Sequence, residues 1–124
     1  MKKLLFGVAV WLCMGFISQA QAGCAEYDGI GWIADTTTEK VVKQLGKGKV
    51  VECGNVYNAF AVFKQKTFSA GLSTCLDKCA EGIRPEVLYI QLNGKSSEGK
   101  YTTENGTTCV QPNGNKNKYC WKSQ

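Results

Sequence analysis

The number and placement of cysteines constrain this 124-residue chain more than any other feature. Seven occur in all. The first, Cys13, falls in a stretch that reads as an export signal, residues 1–22. Lys2 and Lys3 give a positive start, Leu4 to Ile17 an apolar run, and Ala20-Gln21-Ala22 a small-x-small cleavage site. Cleavage after Ala22 leaves Cys24, Cys53, Cys75, Cys79, Cys109 and Cys120 in a chain from Gly23 to Gln124. An even cysteine count in a short exported chain reads as a disulfide framework, and three cross-links would stabilise a core this small. Two other readings of the leader remain. As a membrane anchor the run is short and is followed by polar Ser18 and Gln19. As a lipoprotein signal ending at Cys24 it carries Gln21 where an aliphatic residue belongs. The expectation is one disulfide-stabilised domain, 23–124, in the periplasm or secreted, with no transmembrane segment after cleavage.

Charge narrows the partners. Loss of Lys2 and Lys3 lowers the formal net charge from +5 to +3, and the densest basic stretch is Lys40, Lys43, Lys47 and Lys49. Nucleic-acid binding wants a larger excess and more arginine than the single Arg84, so a solvated face is expected. Attraction to acidic groups such as sialylated glycans stays open.

There is no histidine. That removes Ser-His-Asp and Cys-His catalysis, histidine metal sites and the usual proton shuttle at neutral pH. Cys75-x-x-x-Cys79 has the look of a metal or redox pair, but export and the even count favour disulfides. Glu52 with Asp77 or Glu81 would be the carboxylate pair for glycoside hydrolysis, although solvated surface acids are the commoner case. Gly46-Lys47-Gly48-Lys49 lacks the full phosphate-loop pattern and reads as a turn. Asn105-Gly106-Thr107 fits a glycosylation acceptor, but the leader is bacterial in type and a turn is the better reading. No catalytic residue, metal or cofactor is expected.

The clearest periodicity is helical. Phe68, Leu72, Cys75, Leu76, Cys79 and Ile83 form one apolar stripe over Thr67 to Ile83, with Thr67 or Ser69 as cap, Gly82 at the exit and Pro85 beyond. Cys75 and Cys79, side by side on that stripe, are expected to bond different elements, joining Cys24 and Cys53 in an order that stays open. A capping-box pattern, Thr36 to Glu39, opens a shorter helix through Val41, Val42 and Leu45 to Gly46. Strands are expected at Lys49 to Cys53, Val56 to Phe63 and Glu86 to Leu92, the last closed by Asn93-Gly94. Lys95 to Lys100 reads as a loop, and Tyr101 to Thr103 as a strand start interrupted at Asn105-Gly106. Thr107 to Val110 and Lys118 to Trp121 form a terminal hairpin that brings Cys109 opposite Cys120, a predicted disulfide. The fold class is α+β, mainly β: a small OB-like barrel with one central helix and a short N-terminal helix.

Tyr27, Trp32, Tyr101, Tyr119 and Trp121 lie in irregular or terminal segments. They are the candidate binding residues, because an apolar ring with a polar tip suits both sugars and protein partners. The alternative is that Trp32 and Trp121 seal the ends of the barrel.

In layout the chain resembles the binding subunits of pertussis-type and subtilase-cytotoxin-type bacterial toxins. Thr38 to Lys49 is similar to their first helix and its exit. Ala59 to Lys64 resembles the strand before their pore-lining helix, and Ile83-Arg84-Pro85 with Val87 to Leu92 that helix's exit and next strand. Cys109 and Cys120 resemble a C-terminal cysteine pair. The family commonly bridges two neighbouring strands, but no second cysteine occurs along Phe60 to Phe63, and the helix carries Cys75 and Cys79 instead. The resemblance implies a non-catalytic subunit that forms a homo-oligomer, a pentamer, binds cell-surface glycans and accompanies a separate enzymatic subunit. A second reading from a different class is a monomeric periplasmic inhibitor or immunity protein that blocks a lysozyme or amidase.

Overall fold

The computed structural model describes residues 23–55 and 57–124. The leader, and Val56 at the expected start of a strand, lie outside the described residues. Eight strands follow one another: β1 (Gly23–Asp35), β2 (Val41–Gly54), β3 (Asn58–Lys64), β4 (Ser69–Cys75), β5 (Leu88–Leu92), β6 (Lys95–Glu104), β7 (Thr107–Pro112) and β8 (Asn117–Ser123). Each pairs antiparallel with the next, and β8 returns to β1, so the sheet closes as an up-and-down barrel. No helix occurs among the described residues.

The α+β, OB-like expectation is therefore corrected at both helices. Over Ser69–Cys75 the chain reads Ser-Ala-Gly-Leu-Ser-Thr-Cys, and Gly71 with the hydroxyl residues favours helix weakly. The working period there is two. Ala70, Leu72 and Thr74 stand opposite Phe63, Ala61 and Ala59 on β3, on the inner side of the wall. Small residues at alternate inward positions mask this alternation, so the large residues give a helical spacing.

The supposed N-terminal helix is the β1–β2 hairpin. Asp35 Oδ1 accepts the N–H groups of Thr37 and Thr38 at 2.7 and 2.9 Å, an Asx turn rather than a helix cap. Gly46, read as a helix stop, adopts a φ of 85° at an irregularity in β2. Leu45 is the extra residue between the pairs Gly31–Gly46 and Trp32–Gln44, as in a bulge. Residues 95–100, expected as a loop, begin β6. Two of the three Asn-Gly steps form the turns their sequence favours. Asn93 and Gly94 have φ of 51° and 85°, and Asn105 and Gly106 have 52° and 81°, as two-residue hairpin turns demand.

Cys24–Cys53 joins facing positions of β1 and β2, and Cys109–Cys120 joins facing positions of β7 and β8, the latter as its spacing predicts. The third bond, Cys75–Cys79, corrects the expectation that each of these two reaches a different element. The side-by-side argument required a helix. Once the chain turns after β4, the two Cα atoms lie 5.8 Å apart and can bridge. Three disulfides point to an oxidising, exported environment.

Val50, Phe63, Ala70, Ile90, Val110 and Trp121 fill the barrel. The Phe63 ring rests against Gly31 and Gly48, where an added Cβ would come within 2.5 and 2.8 Å of it. Charged Asp28, Lys47, Lys49 and Lys122 alternate with the inward positions and face outward. This apolar-in, charged-out arrangement is the reverse of a transmembrane barrel. Among the described residues no helix is long and apolar enough to cross a membrane.

The strands are staggered. β2 pairs with β3 only from Lys49 to Gly54, leaving its first half with an open edge. Gln65 covers part of that edge, its Nε2 donating to the carbonyls of Leu45 and Lys47 at 2.7 and 2.8 Å.

Candidate functional site

The barrel separates the five candidate aromatics instead of gathering them. Trp121 is 1% exposed and belongs to the core. Tyr119 is half-buried and packs its ring 6.2 Å from Phe68. Tyr27 lines the inner side near one end, where its hydroxyl donates to Glu52 Oε2 at 2.7 Å. Burial raises the Tyr27 phenol well above its ordinary pKa, and the hydrogen bond and negative charge of Glu52 raise it further. Glu52, one of the carboxylates considered for hydrolysis, is thereby engaged with a phenol.

Two of the aromatics stay accessible. Trp32 is half-buried on the outer wall opposite Cys120, with the Lys122 ammonium 6.0 Å from its ring. Tyr101 is 51% exposed and lines a shallow depression of ≈ 240 Å³ with Lys100, Gln111, Thr36, Glu39 and Lys118. Lys118 Nζ and Glu39 Oε1 are 2.5 Å apart across it. Among the described residues, no group of three or more His, Cys, Asp or Glu could hold a metal ion.

The most built feature outside the core is the loop between β4 and β5. Its neck is closed by Leu76 N–H donating to the Tyr57 carbonyl at 2.7 Å and Glu86 N–H donating to the Cys75 carbonyl at 2.8 Å. Cys75–Cys79 then locks the first turn. Asp77 Oδ1 accepts the N–H of Lys78 at 2.9 Å, and the Lys78 ammonium lies 4.9 Å from the Tyr57 ring. On the far limb, Arg84 N–H donates to the Tyr89 hydroxyl at 3.1 Å and the Arg84 guanidinium pairs with Glu98. Lys78 and Glu86 hold left-handed φ values of 57° and 65°, uncommon for residues with side chains. A loop closed at the neck and cross-linked inside loses little freedom when it docks.

This loop presents apolar side chains to solvent. Leu76 is 57% exposed and Ile83 37%. At the same end of the barrel Phe60, 42% exposed, stands on the outer wall between Cys53 and Ser73. None of the three was a candidate in the sequence, because Leu76 and Ile83 were absorbed into an apolar helix stripe. The signal that could have found them is the pair of cysteines four residues apart, followed by Gly82 and Pro85. That pattern suits a stapled turn as well as a helix.

Comparison with protein-family models, with curated proteins and with solved structures gives no match.

Proposed function

We propose that the protein is an exported, non-catalytic module that blocks a partner enzyme, docking through the 76–86 loop. One observation carries this reading: the loop is fixed by its disulfide and neck hydrogen bonds yet keeps Leu76 and Ile83 in solvent. A pre-ordered loop that exposes apolar side chains at its neck and on its far limb suits docking against a partner, since the entropy of ordering is already spent. Phe60 beside the loop widens the contact towards the area a specific interface needs. The ring-forming, glycan-binding reading has less support. It drew on helices over residues 36–46 and 67–83, and those stretches are turn, strand and loop. In the favoured reading the leader is removed after Ala22 and the mature protein acts as a monomer in the periplasm or outside the cell.

The test uses the oxidised chain 23–124 against cell-wall hydrolases of the lysozyme and amidase classes, following clearance of cell-wall suspensions. Inhibition at one-to-one stoichiometry, lost on Leu76→Asp, supports the reading. Failure to slow any of these enzymes, with a native mass of five chains, would return the protein to the ring-forming class.

A further inference from the structure

The outer wall of β3, β2, β1 and β8 carries a second surface, away from the end of the barrel that bears Phe60 and the 76–86 loop and adjoining the Tyr101 depression at β8. Register pairing puts residues of neighbouring strands on one face in rows. One row is Lys64, Lys49 and Asp28, and the next is Lys47, Ile30 and Lys122. A third brings Gln44 and Trp32 alongside Cys120. Four lysines thus converge from three strands around Ile30 and Trp32. The nearest acid is already used: Asp28 Oδ1 and Lys49 Nζ are 2.6 Å apart. Among the described residues, Lys47, Lys64 and Lys122 form no ion pair with a carboxylate. Lys64 stands directly opposite Lys49, a like-charge pairing that costs stability and persists here.

We propose that this face binds an acidic polysaccharide. Lys47 and Lys122 flank Ile30 from the strands on either side, which sets their Cα atoms about 10 Å apart across the sheet. Between and beside them are the apolar surfaces of Ile30 and Trp32. The arrangement matches a sugar chain whose acidic groups alternate with neutral rings. Carboxylates or sulfates meet the ammonium groups while the apolar face of the intervening ring lies on the indole. Nucleic acid fits less well. One aromatic ring gives no platform for successive bases. The surface is independent of the loop, so a module of this kind could hold an anionic matrix and a protein partner together.

The experiment follows tryptophan fluorescence of the oxidised chain 23–124 as hyaluronate, neutral dextran and a poly-deoxythymidine oligonucleotide are added in turn. Trp121 is buried, so a ligand on the outer wall is reported by Trp32. Hyaluronate is expected to change the emission and to bind more weakly as salt rises. The double variant Lys47→Glu/Lys122→Glu should weaken it roughly tenfold or more, on the order of one kcal/mol for each lysine lost from an anionic surface. The charge-matched variant Lys95→Glu/Lys100→Glu, on β6, should leave it within about twofold. Trp32→Ala should weaken binding, measured by calorimetry, without changing its salt dependence. Equal weakening by the two charge-matched variants would overturn the proposal in favour of diffuse attraction. Equal binding of dextran would overturn it too. Binding of the oligonucleotide as tightly, through the same lysines, would reassign the face to nucleic acid.

Discussion

Phe63 lies almost parallel to Trp121 across the barrel interior, ring centroids 6.4 Å apart and planes 12° apart. The pair joins β3 to β8, which are not neighbours in the sheet, so it measures how well the barrel is filled. Phe63→Ala should cost about 3–5 kcal/mol, because both the burial and the contact with Trp121 are lost. Trp121→Phe should cost less. Among the described residues its buried Nε1 has no acceptor, so that change forfeits volume but no hydrogen bond. Urea unfolding of the oxidised chain measures both.

Gly31 and Phe63 form a coupled site. A methyl at position 31 meets the Phe63 ring at 2.5 Å, and Gly31→Ala should destabilise by roughly 1–3 kcal/mol through overpacking. Gly31→Ala with Phe63→Leu should cost less than the sum of the two single changes. A double-mutant cycle showing simple additivity would sink this account.

The disulfides should separate stability from function. Loop length makes Cys24–Cys53, 29 residues apart, worth about 3.5 kcal/mol, and Cys75–Cys79, four apart, only about 2. Cys75→Ser/Cys79→Ser should therefore fold with the smaller loss, yet weaken any inhibition of a cell-wall hydrolase as strongly as Leu76→Asp. Cys24→Ser/Cys53→Ser should show the opposite pattern.

Tyr27 should be visible in an alkaline titration. Its folded pKa is raised, so its stabilising contribution is complete below the ordinary phenol value near pH 10 and fades only as the pH climbs towards the folded value. Ultraviolet absorbance should show Tyr27 ionising above the ordinary phenol range, and Tyr27→Phe should abolish that late step. Asp35 acts in the other direction. Backbone N–H groups of Thr38 and Thr37 hold its carboxyl below the ordinary range, so its contribution is present above about pH 4 and is lost as acid protonates it. Asp35→Asn should make the β1–β2 hairpin less sensitive to acid, as followed by amide exchange of Thr37 and Thr38.

What could be read in the sequence was mostly local. Asn93-Gly94 and the Cys109–Cys120 hairpin announce themselves because two-residue turns and facing cysteines depend on few neighbours. β4 was hidden because Ala70 takes up little space opposite Phe63, Thr74 stands opposite small Ala59 and Gly71 packs against Val62, and only the closed barrel reveals that small residues are what fits there. The Thr36 to Glu39 pattern satisfies a helix cap and an Asx turn equally well, and pairing of β1 with β2 decides between them. Of the candidate aromatics, Trp121 belongs to the core for the same reason: its partner Phe63 is 58 positions away.

The order of the cysteine pairings carries a consequence for biogenesis. Cys24 bonds Cys53, Cys75 bonds Cys79 and Cys109 bonds Cys120, each to the next cysteine along residues 23–124. None crosses the seam where β8 meets β1. A thiol oxidase that meets this polypeptide as it emerges, amino end first, makes the native set simply by joining each newcomer to the one unpaired thiol before it. For residues 23–124 consecutive oxidation needs no reshuffling of these pairs, and all three bonds can be complete before the last strand closes the wall.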